Sequence, residues 1–296
     1  MSQVIQARGL RYAPETEEVL MDPTCSIQTI SGEEATSLGL AGNPDTASRF
    51  VDASWSVGVN YYFFYNATYK EMIQGLRRIS AQERERVIIA TGIEVREKEV
   101  MRQYLDQILG MLGIETIDVF FTEYVSPSDN LKSVLGENGA LDELRSWKDE
   151  GLIRYVGATA HSRPLSVALL ESGKIDILMH RYNMAHRGSE DEVLPTASRL
   201  GIPVVAFTCT RWGSLLEGHR EWAAQVPTAG DCYRYVLNHP SVRVALSAPA
   251  TGKELQENLQ AFTDGLGASP AQIAEWEAYG KLVYGSGNDA FETRWP

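Results

Sequence analysis

The chain has 296 residues, 44% of them hydrophobic, and 27 Lys and Arg against 39 Asp and Glu give a net charge of −12. That length and apolar fraction suffice for one large core, while the negative balance, with no basic run interleaved with aromatics, argues against nucleic acid and anionic membrane as partners. The start, MSQVIQARGLRYAPETEE, lacks a basic region followed by an apolar stretch, and no window reaches the length of a membrane span. Cys25, Cys209 and Cys232 have no metal-ligand spacing, so a reduced, cytoplasmic protein without a metal site is expected.

Short apolar or alternating runs recur along the chain, separated by stretches with helical periodicity. In order they are TSLGLAG (36–42), VNYYFF (59–64), VIIATGI (87–93), DVFFTEY (118–124), YVGATAH (155–161), ILMHRYN (177–183), PVVAFTC (203–209) and VRVALSA (242–248). Between the third and fourth, Met101, Leu105, Ile108, Leu109 and Leu112 fall on one helical face. After the fourth, Leu141, Leu144, Trp147 and Leu152 keep a similar spacing, with Gly151 just past a helix end. ELQENLQAF and AEWEAYGKLVY have the apolar spacing of helices that pack on a barrel.

Strands alternating with helices in this way predict a parallel (β/α)8 TIM barrel, one domain over residues 1–296. Residues 1–35 form an extension that could close the barrel floor. Residues 284–296 form a tail, with Phe291 and Trp295, over or near the mouth. A doubly wound open sheet is the alternative; it would carry a glycine-rich phosphate turn after its first strand, which GLAGNPDT matches weakly. In a barrel the chemistry sits at the C-terminal strand ends, which directs attention to positions near 42, 64, 92, 123, 161, 182, 209 and 248.

Those strand ends resemble the aldo-keto reductases. SLGLAG, GVNYYF, VIIAT, IDVFF, EGLIRYVGAT, RYNMAHRGSEDEVLP and HPSVRVALSAPATGKELQENL stand in that family's order and spacing from about Ser37 to Phe262. RYN-x-AHRG-x-E and T-x-TRWG-x-LL are shared with a bacterial branch of it. The resemblance implies a catalytic Asp, Tyr, Lys and His, but the Asp position is Phe63 and the Lys position is Gly92. The Tyr position is Thr68 or, after a short deletion, Tyr69, and the His position is Glu123. A branch that reduces steroid carbon–carbon double bonds also has Glu for His, although it keeps the other three. A phenol with a pKa near 10 is a sluggish acid unless cations depress it, and no ammonium stands at position 92.

The same resemblance implies an NADPH or NADH cofactor. Its nicotinamide-amide positions fall on Thr159, Ala160 and Met179, and its ring-stacking aromatic on Phe207. The phosphate-reading positions fall on Ala248 and Glu254, with Lys253 adjacent; the adenine contacts Glu257 and Asn258 are retained. A carboxylate near the ribose disfavours a 2′-phosphate, which moves the expectation toward NADH or no nucleotide.

Side chains alternate along strands, so, with the aldo-keto reductases' inward positions as the reference the resemblance supplies, Phe63, Gly92, Glu123, Thr159, His161, Met179, Arg181 and Phe207 share the set facing the barrel interior and His180 falls on the parity facing the helices. Glu123 reads either as a pocket acid or base of raised pKa or as one half of a pair with Arg181. His161 reads as a general acid or base or as a ring bound to a loop carbonyl. Asn183, His186 and Arg187 follow the sixth strand, with Ser189 as a candidate N-cap, and read as a site for an anionic substrate group or as capping plus a salt bridge. Arg211 and Trp212 follow the seventh, for an anion and a flat ligand or for loop packing. Cys209 in that strand reads as a nucleophile or an inert hydrophobe, the second being the usual case.

Three functions follow. The leading one is NAD(P)H-dependent reduction of a small polar or anionic iminium, activated alkene or carbonyl compound, with Tyr69, Glu123 or His161 as altered proton donor. The second is a non-redox lyase, dehydratase, isomerase or cyclase using Glu123 and His161. The third is a ligand-binding pseudoenzyme.

Overall fold

Each of the eight runs forms a strand. The computed structural model of the protein describes residues 26–43 and 46–286; Cys25 and the tail aromatics Phe291 and Trp295 lie outside them. In chain order the elements are β1 (Leu38–Ala41), α1 (Ser48–Ser56), β2 (Tyr61–Phe64), α2 (Lys70–Glu83), β3 (Ile88–Ile93), α3 (Lys98–Leu112), β4 (Ile117–Val125), α4 (Leu131–Leu135) and α5 (Ala140–Asp149). They continue with β5 (Ile153–Ala160), α6 (Arg163–Glu171), β6 (Ile177–Arg181), α7 (Val193–Leu200), β7 (Val204–Phe207), α8 (Ala229–Leu237), β8 (Val242–Ser247), α9 (Gly252–Thr263) and α10 (Pro270–Tyr284). All neighbouring strands are parallel, and β1 pairs with β8 to close the barrel. A doubly wound sheet is thereby excluded.

Alternation divides the strands into two apolar sets. Ala41, Tyr61, Phe63, Ile88, Ala90, Val119, Phe121, Ile177, Met179, Val205, Phe207, Val244 and Leu246 fill the barrel, with Ile27 among them. The opposite parity, including Phe64, Phe120, Val156, Leu178 and Ala206, packs under the helices. The helical faces read from spacing are the buried ones: Met101, Leu105, Ile108 and Leu112 on α3, and Leu141, Leu144 and Trp147 on α5. His180 lies on the outward parity, its Nδ1 2.9 Å from both Ser166 Oγ and the Ala160 carbonyl.

At the N-terminal end of the barrel, residues 27–35 turn back on themselves through a Gln28–Glu34 bridge. Arg154 donates to the carbonyls of Gln28 at 2.8 Å and Thr29 at 3.0 Å and to Asp118 Oδ1 at 2.8 Å. Asp118 Oδ2 pairs with Arg84 at 2.8 Å and accepts the Ile89 N–H at 2.9 Å. This fully buried carboxylate therefore joins β3, β4, β5 and the N-terminal turn.

At the other end, α10 lies against the segments that follow β6 and β7. A β-carbon on Gly280 would collide with the Met184 carbonyl, so only glycine permits that approach. Among the described residues no helix is long and apolar enough to cross a membrane.

Candidate functional site

Glu123 is held by its backbone. It precedes Tyr124, which has φ 52°, at an irregularity in the β4–β5 register between Thr122 and Val125. A left-handed tyrosine costs about 1–2 kcal/mol and persists only where its surroundings fix it. The Tyr124 N–H donates to Thr159 Oγ1 at 2.7 Å, and Arg96 Nη2 donates to the Glu123 carbonyl at 2.7 Å. These two bonds hold both polar groups of the 123–124 peptide, just before the kink.

The Glu123 side chain then lies over Gly92. A β-carbon at Gly92 would stand 2.6 Å from Glu123 Oε1 and 2.7 Å from its Cγ, and would also collide with the Phe121 carbonyl. The two departures at positions 92 and 123 are thus one steric event: the carboxylate occupies the room a side chain at 92 would need. Gly92→Ala is expected to lower unfolding stability by about 1–3 kcal/mol, from overpacking a strand interior. Thermal and urea unfolding check this, and an unchanged midpoint would show that Glu123 yields freely.

Glu123 is 4% exposed, and its Oε1 has no hydrogen-bond partner among the described residues. Burial, then the nearby Glu94, raise its pKa well above the ordinary 4.5, with Arg96 opposing. It lines a cavity of about 60 Å³ with Tyr65, Glu94, Tyr124, Thr159, His161, Met179 and Phe207. The His161 ring stands edge-on to Tyr124 at 5.2 Å and to Phe207 at 5.0 Å between centroids.

A second, larger cavity of about 860 Å³ opens along the ends of β7 and β8. Its walls include Tyr65, Tyr69, Phe207 to Thr210, Trp212, Tyr233, Leu246, Glu254, Glu257 and Asn258. Trp212 is 59% exposed at its rim. The loop after β7 bends through left-handed Thr208, Arg211 and Trp212. No Lys, Arg or His is among the described residues lining this cleft. At its far end Glu254 Oε2 accepts the Ala250 N–H at 2.8 Å, ahead of the first turn of α9, and Asn258 donates to Ser247 Oγ at 2.9 Å. Lys253 turns outward beside Glu257 at 3.6 Å and does not line the cleft.

Tyr65 and Phe207 line both cavities. Tyr65 and Glu94 carry no signal in the sequence, since each lies just past a strand end, where alternation no longer fixes direction. The Tyr65 ring packs edge-on to Phe63 at 4.8 Å and lies 6.3 Å from Tyr69. Burial and the Glu123 charge raise the pKa of both phenols, Tyr65 and Tyr69, so neither becomes a better acid here.

Several residues expected near substrate are engaged elsewhere. Arg187 donates to both Glu190 oxygens at 3.1 and 2.7 Å and pairs with Glu277 on α10 at 2.9 Å. Glu190 also accepts from Tyr182 and Tyr235 at 2.8 and 3.0 Å, which completes an internal network. Arg211 donates to the Val283 carbonyl at 2.6 Å, at the end of α10. Asn183 Oδ1 accepts the Ala185 and His186 N–H groups, while its amide donates to the Thr208 carbonyl. The His186 ring packs edge-on to Tyr284 at 5.2 Å. Ser189 donates to the Arg181 carbonyl and sits in a short 3-10 turn rather than capping α7. Phe63 is core, edge-on to Phe121 at 5.9 Å. Arg181 points inward beside Phe207 in the register but lines neither cavity. Of the two readings offered for this segment, these contacts fit the structural one: Asn183, Arg187 and Arg211 brace the β6 and β7 loops against each other and α10. Cys209 is buried, and its thiol is pushed up to about 12, far from a nucleophile. No cluster suited to a metal ion occurs among the described residues.

Residues 35–231 match the model of the aldo/keto reductase family. The chain belongs to that family. Among aldo/keto reductases, the NADH-specific methylglyoxal reductase of Escherichia coli (strain K12) is 30% identical over 117 residues, 40% of this chain and 35% of that enzyme. Probable aldo-keto reductase 1 of Glycine max is 22% identical over 235 residues, 75% of this chain and 64% of that protein. In neither case do the matched residues reach two thirds of the relative's length.

In three dimensions, an aldo-keto reductase from Bacillus halodurans, in its holo form, superposes with a TM-score of 0.70 at 17% identity, covering 86% of this chain and 95% of that one. One from Klebsiella pneumoniae, solved with NADP and acetate, gives 0.70 at 15% identity over 86% of this chain and 95% of that one. At these identities the likeness is one of fold. In this barrel the buried Glu123 carboxyl group lies over Gly92.

Proposed function

We propose that the chain is a reductase that takes NADH in the large cleft and a small electrophile, such as an iminium, activated alkene or carbonyl compound, in the Glu123 cavity. One observation carries this reading: Tyr65 and Phe207 stand in the walls of both cavities, so the cleft ends where the small cavity begins. The cleft's volume is in the range of small-molecule and cofactor sites. Phe207 offers an aromatic face at the inner end, and Glu257 and Asn258 line the outer end. Glu254 opposes a 2′-phosphate, because its carboxylate already holds the Ala250 N–H and would repel a second anion. When bound, the nicotinamide would supply hydride.

The residues of the chain supply the rest. Burial and Glu94 favour the protonated form of Glu123, which can donate its proton to a basic atom formed in the cavity. The Arg96 and Thr159 bonds hold its backbone, so that little reorganisation is needed. The test is turnover of small electrophiles with purified protein and NADH. Stoichiometric NADH loss supports the reading, and turnover with no reduced nucleotide present would overturn it. The latter result would favour a non-redox acid–base enzyme, a reading supported by Glu123 and His161 lining one cavity.

A further inference from the structure

We infer that the small cavity is built to seat an organic cation, and that its substrate is an iminium ion or a closely related protonated nitrogen compound. The inference rests on the reading that this cavity, not the cleft, receives the reacting group. Two carboxyl groups, Glu94 and Glu123, line it, and the rest of the wall is mostly rings: Tyr65, Tyr124, His161 and Phe207. Aromatic faces beside carboxylates are the surroundings that recognise alkylated ammonium groups. No Lys or Arg is among the described residues that line it.

The charge placement points the same way. Arg96 lies close by, but it is turned to the Glu123 carbonyl and to Asp129 Oδ2 at 3.3 Å. At position 92 there is glycine, and Glu123 fills the space above it. Within that pair, Glu123 Oε1 is buried and accepts no hydrogen bond from the described residues, so it can accept one from an N–H group. A volume of about 60 Å³ holds about two waters, or a headgroup of a few heavy atoms.

An iminium ion also removes the need for the missing acid. Hydride adds at carbon, the C=N π pair moves to nitrogen, and a neutral amine results; a dihydronicotinamide is the class of donor that is oxidised. No proton is transferred in that step. Carboxylates beside the nitrogen would keep an imine protonated, which is its reducible form. Seating a cation draws the proton off Glu123, so binding tightens as pH rises. The groups that face Glu123 are Tyr65 and Tyr69 beyond β2, Glu94 and Arg96 beyond β3, Tyr104 on α3 and His161 beyond β5.

The experiment is an amide chemical-shift titration of the full chain with dimethylammonium, with acetone and acetate as neutral and anionic probes of similar size. Saturable shifts at Glu123, Tyr124 and Thr159 are expected with dimethylammonium alone. Glu123→Gln should weaken binding about tenfold, the loss of a buried charge contact, and Glu94→Gln, at an exposed position, should weaken it less. Equal or stronger response to acetone or acetate, or dimethylammonium shifts unchanged in both variants, would overturn the inference. NADH added to the same samples separates the two proposals. NADH binding without cation preference sinks only the cation seat. Cation binding without NADH binding supports the seat and sinks the hydride-transfer reading.

Discussion

Glu123→Gln is expected to lower turnover about a hundredfold or more, the usual worth of a positioned acid or charge. Glutamine keeps the shape that fills the space over Gly92 but can neither ionise nor give up a proton. The same variant has an opposite effect on stability at alkaline pH. Burial and Glu94 raise the folded-state pKa of Glu123 above the ordinary 4.5, so the folded chain holds this proton more tightly than the unfolded chain does. The stabilisation is complete below about pH 4.5 and is lost as pH rises through the folded value. Wild type should therefore lose stability relative to Glu123→Gln across that window. Urea unfolding of both proteins at about pH 5 and about pH 8 checks the sign, since an ordinary carboxylate is already ionised over most of that interval. A variant that loses activity and also loses stability more steeply than wild type at high pH would contradict this account of the carboxyl group.

Asp118→Ala is expected to cost about 3–5 kcal/mol of unfolding free energy, because removing one partner strands buried or partly buried charges. Its side chain is 0% exposed and meets Arg84, Arg154 and the Ile89 N–H, all between 2.8 and 2.9 Å. Arg154 would keep its bonds to the Gln28 and Thr29 carbonyls but lose the anion that orients it. The loss should appear in denaturant unfolding, with residues 27–35 gaining hydrogen exchange first. A loss below about 1 kcal/mol, the level of an exposed pair, would show that the arginines find water instead.

The fold was legible because alternation and helical spacing are local. VNYYFF and VIIATGI each declare a strand, and alternation referenced to the family's inward positions puts Phe63 and Gly92 inside the barrel. The same rule set Glu123, Met179 and Phe207 inward and His180 outward. Beyond the strand ends that rule stops, and there the sequence was mute. Nothing local indicates that Arg211 reaches Val283, 72 positions away, or that Arg187 meets Glu277 on the same helix. Both arginines read as anion binders only while α10 was without a place. Tyr65 and Glu94 were missed for the converse reason: their importance comes from the cavities they border, which several strands build together. That Glu123 lies across Gly92 could not be read from either strand alone and needed coordinates.

The cleft that carries no cation and the cavity that carries Glu123 are joined by Tyr65 and Phe207, and the proposed function stands on the first being a nucleotide site. An equilibrium titration of the purified protein with NADH and NADPH, read by the fluorescence of Trp212 at the cleft rim with Trp212→Phe as control, tests this directly. The account predicts saturable quenching by NADH, with NADPH weaker by about tenfold or more because its 2′-phosphate faces Glu254. Tighter binding of NADPH, or no binding of either nucleotide at millimolar concentration, would contradict it.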